Sequence, residues 1–253
     1  MGGASDRGAL TQMMKADDIQ RLLLGYFTMP EDSSLPGQKI VVCAYLIHHP
    51  DGPILFDTGL GPHPESDAMY HPVARDVREE LRRTGVQSRD VRAVDNCHLH
   101  VDHAGGNPHF PRRPIFVQQV EVDAAKSWEY TNPNVVDFDG AALELHDGRA
   151  DVAPGVRIIA TPGHTPGHQS LVVDTQSGRV VLAGQAFRGA SDYGRAVLAS
   201  RLLAEGANVE VEVPPWVQTI EDQIDPVKIL FAHDLAVWER PGDVFHGGLP
   251  LRP

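Results

Sequence analysis

Within six residues the chain sets His98, His100, Asp102 and His103, just after an apolar run and just before Ala104-Gly-Gly-Asn107. Side chains two apart on an extended segment project the same way, so His98 and His100 share a direction. Asp102 and His103 lie past the end of that run, where a turn aims them back at the same point. A fold that accepts this sequence must therefore stop a strand at a protected polar site. Two further stops have the same form. Thr161-Pro-Gly-His-Thr-Pro-Gly-His168 follows the apolar Val156–Ala160 and leads into Ser170-Leu-Val-Val. Its two Pro-Gly pairs make a tight loop that offers His164 or His168 to a metal. Leu230-Phe-Ala-His-Asp234 places His233 where another apolar run ends. A lone histidine there is more often a satisfied hydrogen-bonding residue, and a histidine-rich loop can be solvated by chance. Three such sites in one chain outweigh both readings. Imidazoles with one carboxylate suit a borderline-soft divalent cation such as zinc.

Histidine supplies 13 of the 253 residues, and the formal net charge is −12. An acidic surface argues against nucleic acid or an anionic membrane as partner, and leaves a small molecule. Two cysteines, Cys43 and Cys97, exclude a disulfide scaffold, and both read as buried thiols in apolar strands. The longest apolar run, Ile40–Ile47, has eight residues, against about 20 for a membrane-spanning helix. Met1–Asp6 lacks the apolar core of a secretory signal, so the expected location is cytoplasmic. Nothing in the sequence points to an oligomeric state.

Residues 1–18 are small and polar, and the expectation is a loose N-terminal segment ahead of a single domain over 19–253. Strands are expected at Ile19–Phe27, Ile40–His48, Ala93–Cys97, Ile115–Gln118, Val156–Ala160 and Lys228–Phe231. Two hairpins share one layout, the first turning at Asp51-Gly52 and the second at Ser177-Gly178. Overlaying Gly52 on Gly178 matches Leu46 with Val172 and Leu55 with Val181, a sign of a duplicated half. Helices are expected at Val73–Thr84, Gln119–Trp128 (with Val120, Ala124 and Trp128 on one face) and Ala196–Glu205, and a loop at Val213–Trp216. Strands alternate with helices, so the class is α/β or α+β.

With these elements placed, the chain resembles the metallo-β-lactamase-fold hydrolases. The family signature His-x-His-x-Asp-His is met by His98, His100, Asp102 and His103, and the later elements by Gly167-His168 and Ala232-His233-Asp234. Pro53-Ile-Leu-Phe-Asp-Thr-Gly59, the stretch from His98 to Asn107 and the stretch from Thr161 to Ser170 are most similar to the N-acyl homoserine lactonase branch. The resemblance implies an αβ/βα sandwich of two related halves. It implies one metal on His98, His100 and His168 and a second on Asp102, His103 and His233. Asp57 would hydrogen-bond a ligand imidazole and fix its tautomer, and His164 would be a loop residue outside the ligand set.

One ligand position departs from the family. Where the family places an aspartate bridging both metals, this chain has Gln185. A neutral amide offers one oxygen acceptor and no charge, so the expectation is one tightly held zinc and a second that is weak or absent. The lactonases' tyrosine, three residues further on, is Arg188 here, with Tyr193 beyond it. Both are expected to touch substrate, and Arg188 favours one carrying an anion. Acyl or ring specificity is assigned to Met69–Ala74 and Phe187–Trp216. The implied activity is hydrolysis of an ester-like bond, a lactone before others, by metal-activated hydroxide, with Asp102 and Gln185 acting on the reacting atoms. Two alternatives stand beside it: a lyase or cyclase on the same scaffold, and a binding protein whose turnover was lost with the aspartate.

Overall fold

In the strand Lys39–Ile47, Cys43, Tyr45 and Ile47 face one cluster of buried side chains, and Val42, Ala44 and Leu46 face another. A strand buried on both faces needs a layer on each side. The computed structural model, which describes residues 13–127 and 129–240, supplies those layers. Its first sheet holds β1 (Ile19–Thr28), β2 (Lys39–Ile47), β3 (Ile54–Phe56), β4 (Val73–Ala74), β5 (Ala93–Asp95), β6 (Pro114–Gln118) and β7 (Ala142–His146), in the order β4-β1-β2-β3-β5-β6-β7. The second holds β8 (Ala150–Ala153), β9 (Val156–Ala160), β10 (Gln169–Thr175), β11 (Gly178–Leu182), β12 (Lys228–Leu230) and β13 (Trp238–Glu239), in the order β13-β12-β11-β10-β9-β8.

The sheets share one interior, where Tyr45, Ile47, Ile54 and Phe56 meet Val156, Ile158, Leu171, Val173 and Leu182. On its outer face the first sheet packs on Val77 and Leu81 of a short helix, Val77–Arg83. The second packs on Tyr193, Ala196 and Val197 of the helix Ala190–Ala204 and on Val217 of Pro215–Thr219. This is the four-layer αβ/βα sandwich. The halves repeat each other: β1, β2 and β3 are antiparallel neighbours and β3 pairs parallel with β5, while β9, β10 and β11 are antiparallel neighbours and β11 pairs parallel with β12. Both expected hairpins are present, with Ile47 opposite Ile54 and Thr175 opposite Gly178.

Several elements differ from expectation. The helix expected from Val73 starts at Val77, because the Asp76 side chain caps it by accepting from the Arg78 N–H at 2.8 Å. Val73 and Ala74 instead pair with Tyr26 and Gly25 of β1. The helix expected over Gln119–Trp128 ends at Ala124; Val120 is exposed, the buried side is Glu121 with Ala125, and Trp128 lies outside the described residues. The helix expected from Ala196 starts six residues earlier, at Ala190, and Pro215 begins a helix inside the expected loop. Met14 is buried and bridges Thr175, so residues next to β1 pack on the second sheet, while residues 1–12 lie outside the described residues.

Backbone contact between the loop after β3 and the His100–Gly105 turn locks the turn in place. Gly61 N–H donates to Val101 O at 2.9 Å and Gly105 N–H to Gly59 O at 2.9 Å. A Cβ on Gly105 would stand 2.0 Å from Gly61 N and 2.4 Å from its Cα, backbone that cannot swing aside. Gly105→Ala should therefore cost about 1–3 kcal/mol of unfolding free energy, read as a lower urea midpoint. An unchanged midpoint would show that the two loops can separate freely.

Candidate metal centre

Every candidate ligand sits just beyond the C-terminal end of a strand near the middle of a sheet. Asp57 follows β3, His98–His103 follow β5, Thr161–His168 follow β9, Gln185 follows β11 and His233 follows β12. The sandwich thus brings five segments, far apart in sequence, to one edge. Asp57 has φ 64°, a left-handed conformation that an aspartate rarely adopts, and this turns its carboxylate back under the site. One oxygen accepts from Cys97 N–H at 2.8 Å, and the other accepts from His103 Nδ1 at 2.9 Å. His233 Nδ1 donates to Val41 O at 2.8 Å. Both rings therefore present Nε2 to the centre, 3.1 Å apart, and Asp102 Oδ2 stands 3.4 Å from each. On the other side His98 Nε2 lies 2.9 Å from His100 Nδ1.

These residues fit a divalent cation. Two nitrogens bound to one tetrahedral zinc stand about 3.3 Å apart, and both nitrogen pairs are close to that spacing. His98, Asp102 and His103 bring ligand atoms within 4.8 Å of one another, as do His98, His100 and His164. Burial holds His98, His100 and His233 below the ordinary imidazole range, so their lone pairs stay open at neutral pH. Burial raises Asp102, but the imidazoles of His103, His233 and His100 outweigh it, and the carboxyl stays well below its usual range. Cys97 is buried as expected, yet it is no bystander. Its Sγ lies 3.1 Å from both Asp57 Oδ2 and His98 Nδ1, and burial pushes the thiol far above its normal range, so it serves as a neutral spacer.

Glu121 gives no signal in the sequence, yet it holds the two ligand loops together. It is fully buried. One oxygen accepts from Leu99 N–H at 2.9 Å and from the Tyr130 hydroxyl. The other accepts from the Thr165 hydroxyl at 2.8 Å and Gly167 N–H at 3.1 Å. The first pair fixes the residue between His98 and His100, and the second fixes the loop carrying His164 and His168. Glu121→Ala strands four donors and should cost about 2–4 kcal/mol of stability and about 10–100-fold in metal affinity. Glu121→Gln, which keeps an acceptor, should recover part of both. A urea titration and a chelator competition report the two effects, and equal behaviour of Ala and Gln variants would refute the role.

A cavity of about 380 Å³ opens over the centre, a volume suited to a small molecule. Phe27, Met29, Leu60, Tyr70, Pro72 and Val101 give it apolar walls, and His100, Asp102, Tyr130, His164 and Gln185 give it a polar floor. No lysine or arginine lines it among the described residues, while Asp67 and Glu129 do. Both substrate-contact expectations from this stretch are corrected. Arg188 is exposed and outside the cavity, because the chain leaves β11 toward the outer face of the second sheet. Tyr193 is buried between helix and sheet, where its hydroxyl donates to Glu221 at 2.7 Å. Of the two segments assigned to specificity, Met69–Ala74 reaches the cavity through Tyr70 and Pro72. Phe187–Trp216 does not reach it. The preference for an anionic substrate, which rested on Arg188, loses its basis. Gln185 does reach the centre, with Oε1 3.1 Å from His103 Nε2.

Two mixed sheets that converge strand ends on paired imidazoles and a carboxylate define a metalloprotein of the two-sheet sandwich class. The chain belongs to the metallo-beta-lactamase superfamily, whose sequence profile matches residues 40–238. It is similar to an N-acyl homoserine lactonase of a Bacillus species, 38% identical over a 167-residue alignment, with 58% of this chain and 65% of that one covered. It is also similar to an N-acyl homoserine lactonase of Rhizobium radiobacter, 30% identical over 168 residues, 57% of this chain and 64% of the relative. These alignments span just under two thirds of the relatives' length. A solved N-acyl homoserine lactone hydrolase, with the product N-hexanoyl-L-homoserine at its catalytic metal centre, superposes with a TM-score of 0.69. It is 26% identical, with 88% of this chain and 94% of that one covered. Among the described residues no helix is long and apolar enough to cross a membrane.

Proposed function

We propose that this protein is a zinc-dependent hydrolase that opens a neutral lactone, N-acyl homoserine lactones being the first class to test. The observation that carries this reading is the juxtaposition of the paired imidazoles and Asp102 with an apolar-walled cavity that no lysine or arginine lines among the described residues. His98, His100 and His168 would hold one ion, and Asp102, His103 and His233 the other. When bound, such a cation supplies Lewis acidity toward a carbonyl oxygen and makes water a nucleophile at neutral pH. The chain's own groups do the rest. Asp102, kept ionised by the imidazoles around it, can accept a hydrogen bond from the attacking water and orient it. Gln185 has no proton to exchange, but its amide N–H can bond the oxygen on which negative charge develops. Phe27, Leu60 and Pro72 shelter an acyl chain from water. Arg188 takes no part.

With Gln185 in place of a carboxylate, charge neutralisation falls to Asp102 alone, so one ion should survive dialysis against a mild chelator and the second should not. Elemental analysis of the dialysed protein, run beside a pH-stat screen of neutral lactones, tests both statements. One retained zinc per chain and measurable lactone opening are expected. Two retained ions would overturn the asymmetry, and metal-loaded protein inert toward every neutral lactone would overturn the activity.

A further inference from the structure

We propose that Arg21 is a positioning residue for His233, acting with Tyr45 from the opposite sheet. This rests on the metal-centre reading, in which His233 belongs to the half completed by Asp102 and His103. His233 lies beyond the end of a short strand. β12 has three residues, and its pairing with β13 stops at Ile229 and with β11 at Leu230. The second sheet adds a bond from the Ala232 N–H to Gly184 O at 2.9 Å. A metal ligand has to be held within about 0.5 Å of its working place, so the segment after Leu230 needs further support. The first sheet gives it. From β2, the Cys43 N–H donates to Ala232 O at 2.8 Å and the Tyr45 hydroxyl donates to Phe231 O at 2.7 Å. From β1, where Arg21 stands opposite Tyr45, Arg21 Nε donates to the Tyr45 hydroxyl oxygen at 3.3 Å and Nη1 donates to Leu235 O at 2.9 Å. Carbonyls on both sides of His233 are thus tied to one guanidinium, Phe231 through a fully buried phenol and Leu235 directly.

Arginine suits this task, because its planar fork aims two donors in fixed directions. Burial raises the phenol above its ordinary range, so Tyr45 keeps the proton it donates. Arg21 also lines a second cavity, of about 390 Å³, which shares none of the residues around the first. Its effect on the centre therefore runs through the segment from Phe231 to Leu235 and not through contact with substrate.

The test uses the full chain in two forms. Protein that retains one zinc after dialysis is titrated with cobalt(II), whose visible bands report the ion taken up second. Arg21→Met, which keeps an apolar stem and loses the donors, should weaken that uptake at least about 10-fold and shift the bands. Arg21→Lys, which can still reach one carbonyl, should recover part of the loss. In the metal-free form, hydrogen exchange at Ala232 should be at least about fivefold faster in Arg21→Met, while Leu171 and Val173 of β10 keep their wild-type rates. A merely structural role would speed both places alike and leave the cobalt bands where they are. Arg21→Met with wild-type uptake and bands overturns the proposal, as does equal acceleration at Ala232 and in β10. Wild-type protein that shows no cobalt bands overturns the two-ion centre, a separate failure. The exchange comparison still decides the role of Arg21 in that case: faster exchange confined to Ala232 upholds it, and uniform exchange overturns it.

Discussion

A chain carrying both His98→Ala and His100→Ala should hold less than about a tenth of the wild-type zinc after desalting, and lactone opening should fall to background. These two residues supply the closest pair of ligand nitrogens in the centre, at 2.9 Å. Removing them leaves Asp102, His103 and His233, a set whose neighbour at position 185 is uncharged, so no tight site remains on either side. The fold should survive. His100 lies at the cavity, and the Leu99 N–H between the two ligands keeps its bond to Glu121 at 2.9 Å. Circular dichroism controls for that, and elemental analysis reads the metal. Wild-type zinc content in the double variant would show that the ion is held elsewhere.

The ligand cluster could be read from sequence because its chemistry is local. His98 to His103 lie within six residues, and the hairpins at Gly52 and Gly178 carry their own turn residues. The continuous apolar runs Ile40–Ile47 and Leu171–Val173 are those of strands with a packed layer on each face, which the structure shows. What stayed hidden depends on contacts between distant segments. Glu121 sits in a stretch whose apolar spacing pointed to Val120, and only the fold shows that its partners are Leu99, Tyr130, Thr165 and Gly167. The helix Pro64–Tyr70, which brings Tyr70 to the cavity, has no apolar period because one side of it faces the opening. Arg188 and Tyr193 were placed by their distance from Gln185 along the chain. The helix that starts at Ala190 turns them away, Arg188 to solvent and Tyr193 into the core.

Gln185→Asp should convert the centre to one that keeps two ions through chelator dialysis, and should raise opening of neutral acyl homoserine lactones by about 10–100-fold. The electrostatic part is direct. A full negative charge near two dications contributes on the order of several kcal/mol at the effective dielectric of a protein site, enough to tighten the weaker ion at least about 10-fold. The geometric part follows from side-chain length. Gln185 reaches His103 at 3.1 Å, and its backbone N–H meets His168 at 3.1 Å, so the residue starts between the two halves. Aspartate is shorter by one methylene, which draws its oxygens back from His103 toward the middle, where each can face one ion. A carboxylate there can also carry a proton to the leaving oxygen, which the amide of Gln185 cannot. The backbone is already suited to the exchange, because the tight contact is at Gly184, where a Cβ would meet Cys97 Cβ at 2.4 Å, and not at position 185. Metal content and kcat/KM of the variant, measured beside Gln185→Asn as the short uncharged control, separate charge from length. An aspartate variant that retains one ion and turns over no faster than the asparagine control would show that the amide at 185 is integral to a different chemistry.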